Sequence, residues 1–345
     1  MIIGIGGYGY TGSTAVYDLL KEYDEVDYIK TNRTLEFSFV YNPDGLFDLE
    51  FNVLRAPAKH LKGDWAIRRY LSYINIYKKY FDSVTNNQFS KLNRKYIDDI
   101  VQVKYRRYVT LLDQQYTSYP LILIKALRKV QIRLEAKYKK DFHIVPKREG
   151  YICVYPDHFV EKTKEFIAGV IKSTGMDLTK KIMLDQPFPP NNPTEVFHYY
   201  DDPFAIVVDR DPRDIYLISK RLSHLAGTFI PHDSVEDFVE AYRDIRLGQA
   251  GDSSHVLRVN FEDLIYRYKD TIKQIESFLK LAEHTMPKKF FKPEVSIATT
   301  QLYKVYPDEA ENIAFIEREL KEYIYPFERY GNVMFDRSDL YKKTY

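Results

Sequence analysis

Two short segments of this 345-residue chain gather the residue types that handle anions. The first is the opening, Gly7-Tyr8-Gly9-Tyr10-Thr11-Gly12-Ser13-Thr14. Glycines let backbone N–H groups approach a ligand closely, and a helix that starts just after them adds the positive end of its dipole. Gly7-x-Gly9-x-x-Gly12 fits a dinucleotide fingerprint. Gly7-x-x-x-x-Gly12-Ser13-Thr14 fits a phosphate-binding frame equally, with Ser13 where a nucleotidase would carry Lys. The second segment is Arg210-Asp211-Pro212-Arg213-Asp214, reached from the apolar run Phe204–Val208 through Asp209. A guanidinium forks onto a phosphate through two charge-assisted bonds. The plainer alternative is an ion-pair cluster that caps a helix.

Both segments need a scaffold that ends strands in loops. Residues 2–6 read as a buried strand, and the apolar spacing Ala15, Val16, Leu19, Leu20 predicts a helix over 13–23 packed on a sheet. Val26 to Ile29 reads as the next strand. Further strands are expected at Lys181–Leu184, Phe204–Val208 and Val256–Val259. A helix is expected after Pro212, with the proline near its first position. Helices are also expected at Asp270–Leu281 and Glu309–Tyr325. Strand–loop–helix–strand order predicts an α/β fold, a parallel sheet flanked by helices. Between roughly 60 and 180 the pattern is helical, as in Trp65–Phe81, Leu121–Lys140 and Asp157–Ser173. This stretch reads as a helical insertion within a single domain spanning 1–345.

The Thr11-Gly12-Ser13-Thr14 loop resembles the one that holds the 5′-phosphosulfate in sulfotransferases dependent on 3′-phosphoadenosine-5′-phosphosulfate (PAPS). The family's Lys position falls here on Tyr10. The strand leading into Arg210-Asp211-Pro212-Arg213-Asp214 resembles that family's second signature, whose Arg and Ser bind the 3′-phosphate. Arg210 matches the Arg; the Ser position falls on Ile218, and Ser219 lies one residue later. Val256–Leu264, with Glu262 and Asp263, resembles the family's strand and Tyr-Glu-Asp-Leu turn, where the two acids cap and orient. Residues 291–306 sit where its nucleotide-covering loop would be, with Lys288, Lys289 and Ser296 as candidate contacts. The resemblance covers residues 1–30 and about 180–330. It implies a P-loop-like sulfotransferase fold and a nucleotide site built from Gly9, Tyr10, Thr11, Gly12, Ser13, Thr14, Arg210 and Ser219. It implies sulfuryl transfer from PAPS to a hydroxyl, with no metal. The family's base often follows the strand before the Arg-bearing one, which points to Asp185, with His198 second and His60 third.

Bulk properties limit the partners. The net charge of +2 does not argue for nucleic acid. Residues 91–148 nevertheless carry 15 Lys and Arg against 5 Asp and Glu, which suits either an acidic ligand or a solvated face. The 31 tyrosines offer contact area with a polar tip, and with the insertion they favour a saccharide acceptor. One cysteine, Cys153, allows no disulfide within the chain. No apolar run approaches a membrane span and the opening lacks the features of a secretory signal, so the expected compartment is cytoplasmic. Two other classes stay open. A Rossmann-type oxidoreductase would want an acid at the end of the second strand, where the chain reads Tyr28-Ile29-Lys30-Thr31-Asn32-Arg33, although Arg33 suits an NADP 2′-phosphate. A non-catalytic glycan-binding protein on a sulfotransferase fold would account for Tyr10.

Overall fold

The computed structural model describes residues 1–30, 36–55, 60–109, 113, 120–249, 253–284 and 289–330, the side chains of 60, 61, 225 and 226 excepted. The chain divides into two compact units. One joins residues 1–38 to 174–345, and the other, 39–173, interrupts it.

Seven strands occur among the described residues: β1 (Ile2–Gly7), β2 (Val26–Asp27), β3 (Val103–Tyr108), β4 (Lys147–Ile152), β5 (Lys181–Asp185), β6 (Pro203–Asp209) and β7 (Val256–Asn260). The first unit holds a five-stranded sheet in the order β2-β5-β1-β6-β7, parallel throughout. The central strands are near-continuous apolar runs because both faces of such a sheet are covered. On one face, Ile3, Ile5, Ile206 and Val208 pack with Val16, Leu19 and Leu20 of the helix Ser13–Leu20, and with Ile272, Ile275 and Leu279 of the helix Tyr268–Leu279. On the other, Gly4 leaves room for Phe188, whose ring carbon would lie 2.2 Å from an added Cβ.

The connections decide where a ligand can sit. From β1 the chain runs through Ser13–Leu20 to β2 on one side of the sheet. From β6 it runs through the helices Pro212–Ala226 and Val235–Arg246 to β7 on the other side. The loops after β1 and β6 therefore diverge, and the crevice between two such loops is where open parallel sheets bind ligands.

Several boundaries differ from expectation for local reasons. β2 stops at Asp27, not Ile29, because the Asp27 carboxylate turns back to accept the N–H groups of Tyr28 (3.0 Å) and Asp177 (2.7 Å). The last long helix is Ala310–Glu319, followed by a separate 3-10 turn at Lys321–Tyr323. The second unit contains the expected helical pattern as His60–Val84, Leu121–Tyr138 and Phe159–Ser173, and adds Phe89–Ile100. Its aromatic interior includes Tyr96 stacked on Phe166 (4.9 Å) and Phe81 against Phe89 (4.4 Å). It also holds an unanticipated antiparallel pair, β3 with β4. Arg107 on β3 pins this pair by bonding the buried carboxylates of Asp64 (2.7 Å) and Asp113 (2.6 Å).

Candidate functional site

The loop after β1 is built for close approach. Gly9, Tyr10 and Gly12 have φ of 88°, 56° and 83°. A Cβ on Gly12 would lie 2.5 Å from the Phe261 ring, so only glycine fits both the left-handed backbone and the space. Gly12 is the N-cap of Ser13–Leu20 and offers no side-chain oxygen to the first turn. The Ala15 N–H already donates to the Gly12 carbonyl at 2.9 Å, which leaves those of Ser13 and Thr14 as the ones a helix start does not satisfy internally. Ser13 is half-buried beside them and Thr14 is exposed. Thr11 is 1% exposed, and its Oγ1 has no hydrogen-bond partner among the described residues. Tyr10 ties the loop down: its hydroxyl donates to the Gly227 carbonyl and its ring meets Phe229 edge-on at 5.2 Å.

Arg210 comes to the same place from β6. It is 6% exposed and lies over the Phe261 ring at 4.5 Å. Its Nη1 reaches the Tyr10 carbonyl at 3.5 Å, and Nη2 donates to the Thr299 carbonyl. Its Nε has no partner among the described residues, and none of their carboxylates forms an ion pair with it. The adjacent charges behave otherwise. Asp211 caps the helix through the Arg213 N–H and pairs with the Arg213 side chain at 2.7 Å, while Arg213 also pairs with Glu317 at 2.6 Å. The ion-pair cluster thus exists, but Arg210 stands outside it.

Buried acids hold this arrangement. Asp214 accepts the N–H groups of Gln301 (2.9 Å) and Leu302 (2.7 Å), which fixes the segment carrying Thr299. Burial pushes its carboxyl up to about 7 against the opposing charge of Arg210. Glu262 does not cap its own helix; its Oε1 accepts the Asp211 N–H at 3.0 Å and so orients the loop after β6. Burial and the Asp211 carboxylate raise Glu262 well above the usual range. Asp263 accepts the Tyr325 hydroxyl at 2.8 Å.

Asp185 ends β5, opposite Ile5 of β1. Burial pushes its carboxyl up to about 7; the Glu36 carboxylate adds to the rise and Lys21 opposes it. The next residue, Gln186, has φ 50° and extends its amide to the Ser13 hydroxyl at 3.4 Å. Asp185 is thereby one residue away from a side chain that reaches the start of the helix carrying Ser13 and Thr14. Ser219 is placed differently from its expected role. It is 0% exposed, and its hydroxyl donates to the Tyr216 carbonyl one turn back at 2.8 Å, which takes up the proton it would give a phosphate. His198 stands on the 3-10 turn Pro193–Tyr199 with its ring 4.1 Å from that of Tyr199. Ser296 gives its carbonyl to Thr299 Oγ1, and the Lys289 N–H donates to Glu22. Arg33, Lys288 and the His60 side chain lie outside the described residues.

Sequence reasoning missed Gln186, Thr299 and Phe261. Only the left-handed turn after Asp185 could have hinted at Gln186, and that turn is invisible without the β5–β1 pairing. The dinucleotide alternative meets a geometric obstacle. An acid does end the second strand, namely Asp27, but β5 lies between β2 and β1. Asp27 is therefore about 10 Å from the β1 position in the sheet plane, at roughly 4.8 Å per strand, and its carboxylate already accepts two N–H groups and pairs with Lys30. Compared with models of known protein families and with curated proteins, the chain matches none of them.

Proposed function

We infer that this protein is a sulfotransferase that moves a sulfuryl group from PAPS to a hydroxyl, with a saccharide as the acceptor class. One observation carries the reading. The glycine loop after β1 and Arg210 after β6 meet at the point where the sheet's connections diverge, and both bring buried polar groups, Thr11 Oγ1 and Arg210 Nε, that lack partners among the described residues. Unpartnered buried donors beside a helix N-terminus suit an anion carrying more than one charged oxygen.

In this reading the chain positions and neutralises rather than reacts, as in-line transfer at a charged centre requires. The N–H groups of the Ser13–Leu20 helix and the Ser13 hydroxyl hold the phosphosulfate end. Arg210 takes the 3′-phosphate. Asp185, poised near neutrality, accepts the proton of the acceptor hydroxyl as its oxygen bonds to sulfur and the bond from sulfur to the nucleotide phosphate breaks. Tyr10 supplies no cation at the position where the family carries Lys, so at the phosphosulfate end the backbone N–H groups and the Ser13 hydroxyl carry the charge in this reading.

The test is a calorimetric titration with 3′-phosphoadenosine-5′-phosphate, with NADP and ATP as controls. The bisphosphate should bind in preference to both, and Arg210→Ala should weaken it by about 1.5–3 kcal/mol, the range for a charged hydrogen bond. Preference for NADP, or no nucleotide binding at all, sinks the reading.

A further inference from the structure

None of the residues named for the proposed site comes from the basic stretch 91–148, and among its described residues the most exposed element is the helix Leu121–Tyr138. Only Ile124 and Gln131 of this helix are buried. Ile124 packs with Val109 and Val145, and Gln131 accepts the N–H groups of Ile144 (3.1 Å) and Val145 (2.9 Å). The inner face is thus satisfied. The outer face is not uniformly polar: Ile122 is 82% exposed and Ile132 57%, with Leu123 and Val130 also open to solvent.

Residues four apart on a helix stand in one row. Lys125, Lys129, Arg133 and Lys137 form such a row, all exposed. Ile122, Ala126 and Val130 run along one flank of it, and Ile132 and Ala136 along the other. Lys139 and Lys140 follow directly. The helix has one acid, Glu135, which is already occupied by the Gln131 amide (2.9 Å) and the Phe142 N–H (3.2 Å). Among the described residues, none of Lys125, Arg128, Lys129, Arg133 and Lys137 forms an ion pair.

We propose that this helix is a docking surface for a lipid bilayer bearing anionic headgroups, lying in the interface with its outer face down. Cations near such a surface gain about 1 kcal/mol each, and Lys and Arg can reach headgroups while aliphatic neighbours sink into the acyl boundary. A nucleic acid would satisfy the charges but leave Ile122 and Ile132 in water, and its bases stack on aromatic rings, of which this helix exposes Tyr138 at its last residue while the rest of its open apolar side chains are aliphatic. Among the described residues no helix is long and apolar enough to cross a membrane, so the contact is peripheral. The proposal is independent of the nucleotide site.

The test is sedimentation of the full chain with phosphatidylcholine vesicles, alone and mixed with phosphatidylserine, with duplex DNA as a competitor for the cations. The protein should pellet with the mixed vesicles only, and less in high salt. Lys129→Glu with Arg133→Glu should lower partitioning by about tenfold or more. Ile122→Ser with Ile132→Ser should also lower it while leaving any DNA binding unchanged. All four positions are exposed, and circular dichroism checks that both variants stay folded. No binding to the mixed vesicles, equal binding to neutral ones, binding that neither variant weakens, or a preference for DNA at the same salt overturns the proposal.

Discussion

Asp185 separates a proton acceptor from a turn-former by pH alone. Burial holds its carboxyl near about 7, so in the folded chain it gains its charge around neutrality instead of near the ordinary value of about 4. If it takes the proton of the acceptor hydroxyl, kcat/KM should rise with pH and level off above about 7. Asp185→Asn should lose that rising limb and most of the rate while keeping bisphosphate affinity. An Asn variant with the parent profile would leave Asp185 as a residue that shapes the turn into Gln186. The resemblance to the sulfotransferase family is what points to Asp185 and Arg210; both also lie at strand ends, where side chains leave the sheet, Asp185 as the last residue of β5 and Arg210 just after Asp209 of β6. Ser219 could not be judged that way. Which side of a helix faces a crevice depends on how the whole helix is packed, and here the hydroxyl is spent on Tyr216.

Among the elements, the tie between the helix start Pro212–Asp214 and the segment 297–302 matters most for the site. Asp214 alone accepts both the Gln301 and Leu302 N–H groups, and the same segment presents the Thr299 carbonyl to Arg210. Asp214→Ala would leave two buried N–H groups without partners, at a cost of about 2–5 kcal/mol in unfolding free energy. Asp214→Asn keeps one acceptor and should cost less. Urea unfolding measures both. Bisphosphate affinity should fall with the displacement of Thr299; an Ala variant that unfolds like the parent would mean the segment is held elsewhere. Parallel strands were legible because Ile-Val-Val and Ile-Met-Leu runs admit few other readings. The β3–β4 pair was not. Val103–Tyr108 reads Val-Lys-Tyr-Arg-Arg-Tyr, whose alternation of apolar and charged residues breaks at Arg107, and its anchor is Arg107 reaching Asp64, 43 positions away. Long-range charge pairing leaves no local periodicity to find.

Across the whole molecule, 51 Lys and Arg nearly balance 49 Asp and Glu, but burial does not treat the acids alike. Asp185, Asp214 and Glu262 are all held above the ordinary carboxyl range, chiefly by desolvation. Each keeps a proton in the folded chain at a pH where the unfolded chain has released it. From about pH 4 to their folded values the native state binds more protons, so unfolding free energy falls as pH rises. Acids of the opposite kind limit the other side. Glu25, held low by the Lys181 side chain and the Ala282 N–H, adds stability above its unfolded value and loses it only in acid. Stability should therefore be greatest on the mildly acidic side, at about pH 5–6, and decline toward about pH 8. Urea midpoints across that range at fixed ionic strength measure the slope. Glu262→Gln preserves the shape and the bond to the Asp211 N–H but cannot titrate, so it should flatten the decline. A midpoint that rises from about pH 6 to 8 would mean that these carboxyls are already ionised in the folded chain. The Arg210 guanidinium would then be balanced by buried negative charge, leaving it a poorer trap for a phosphate.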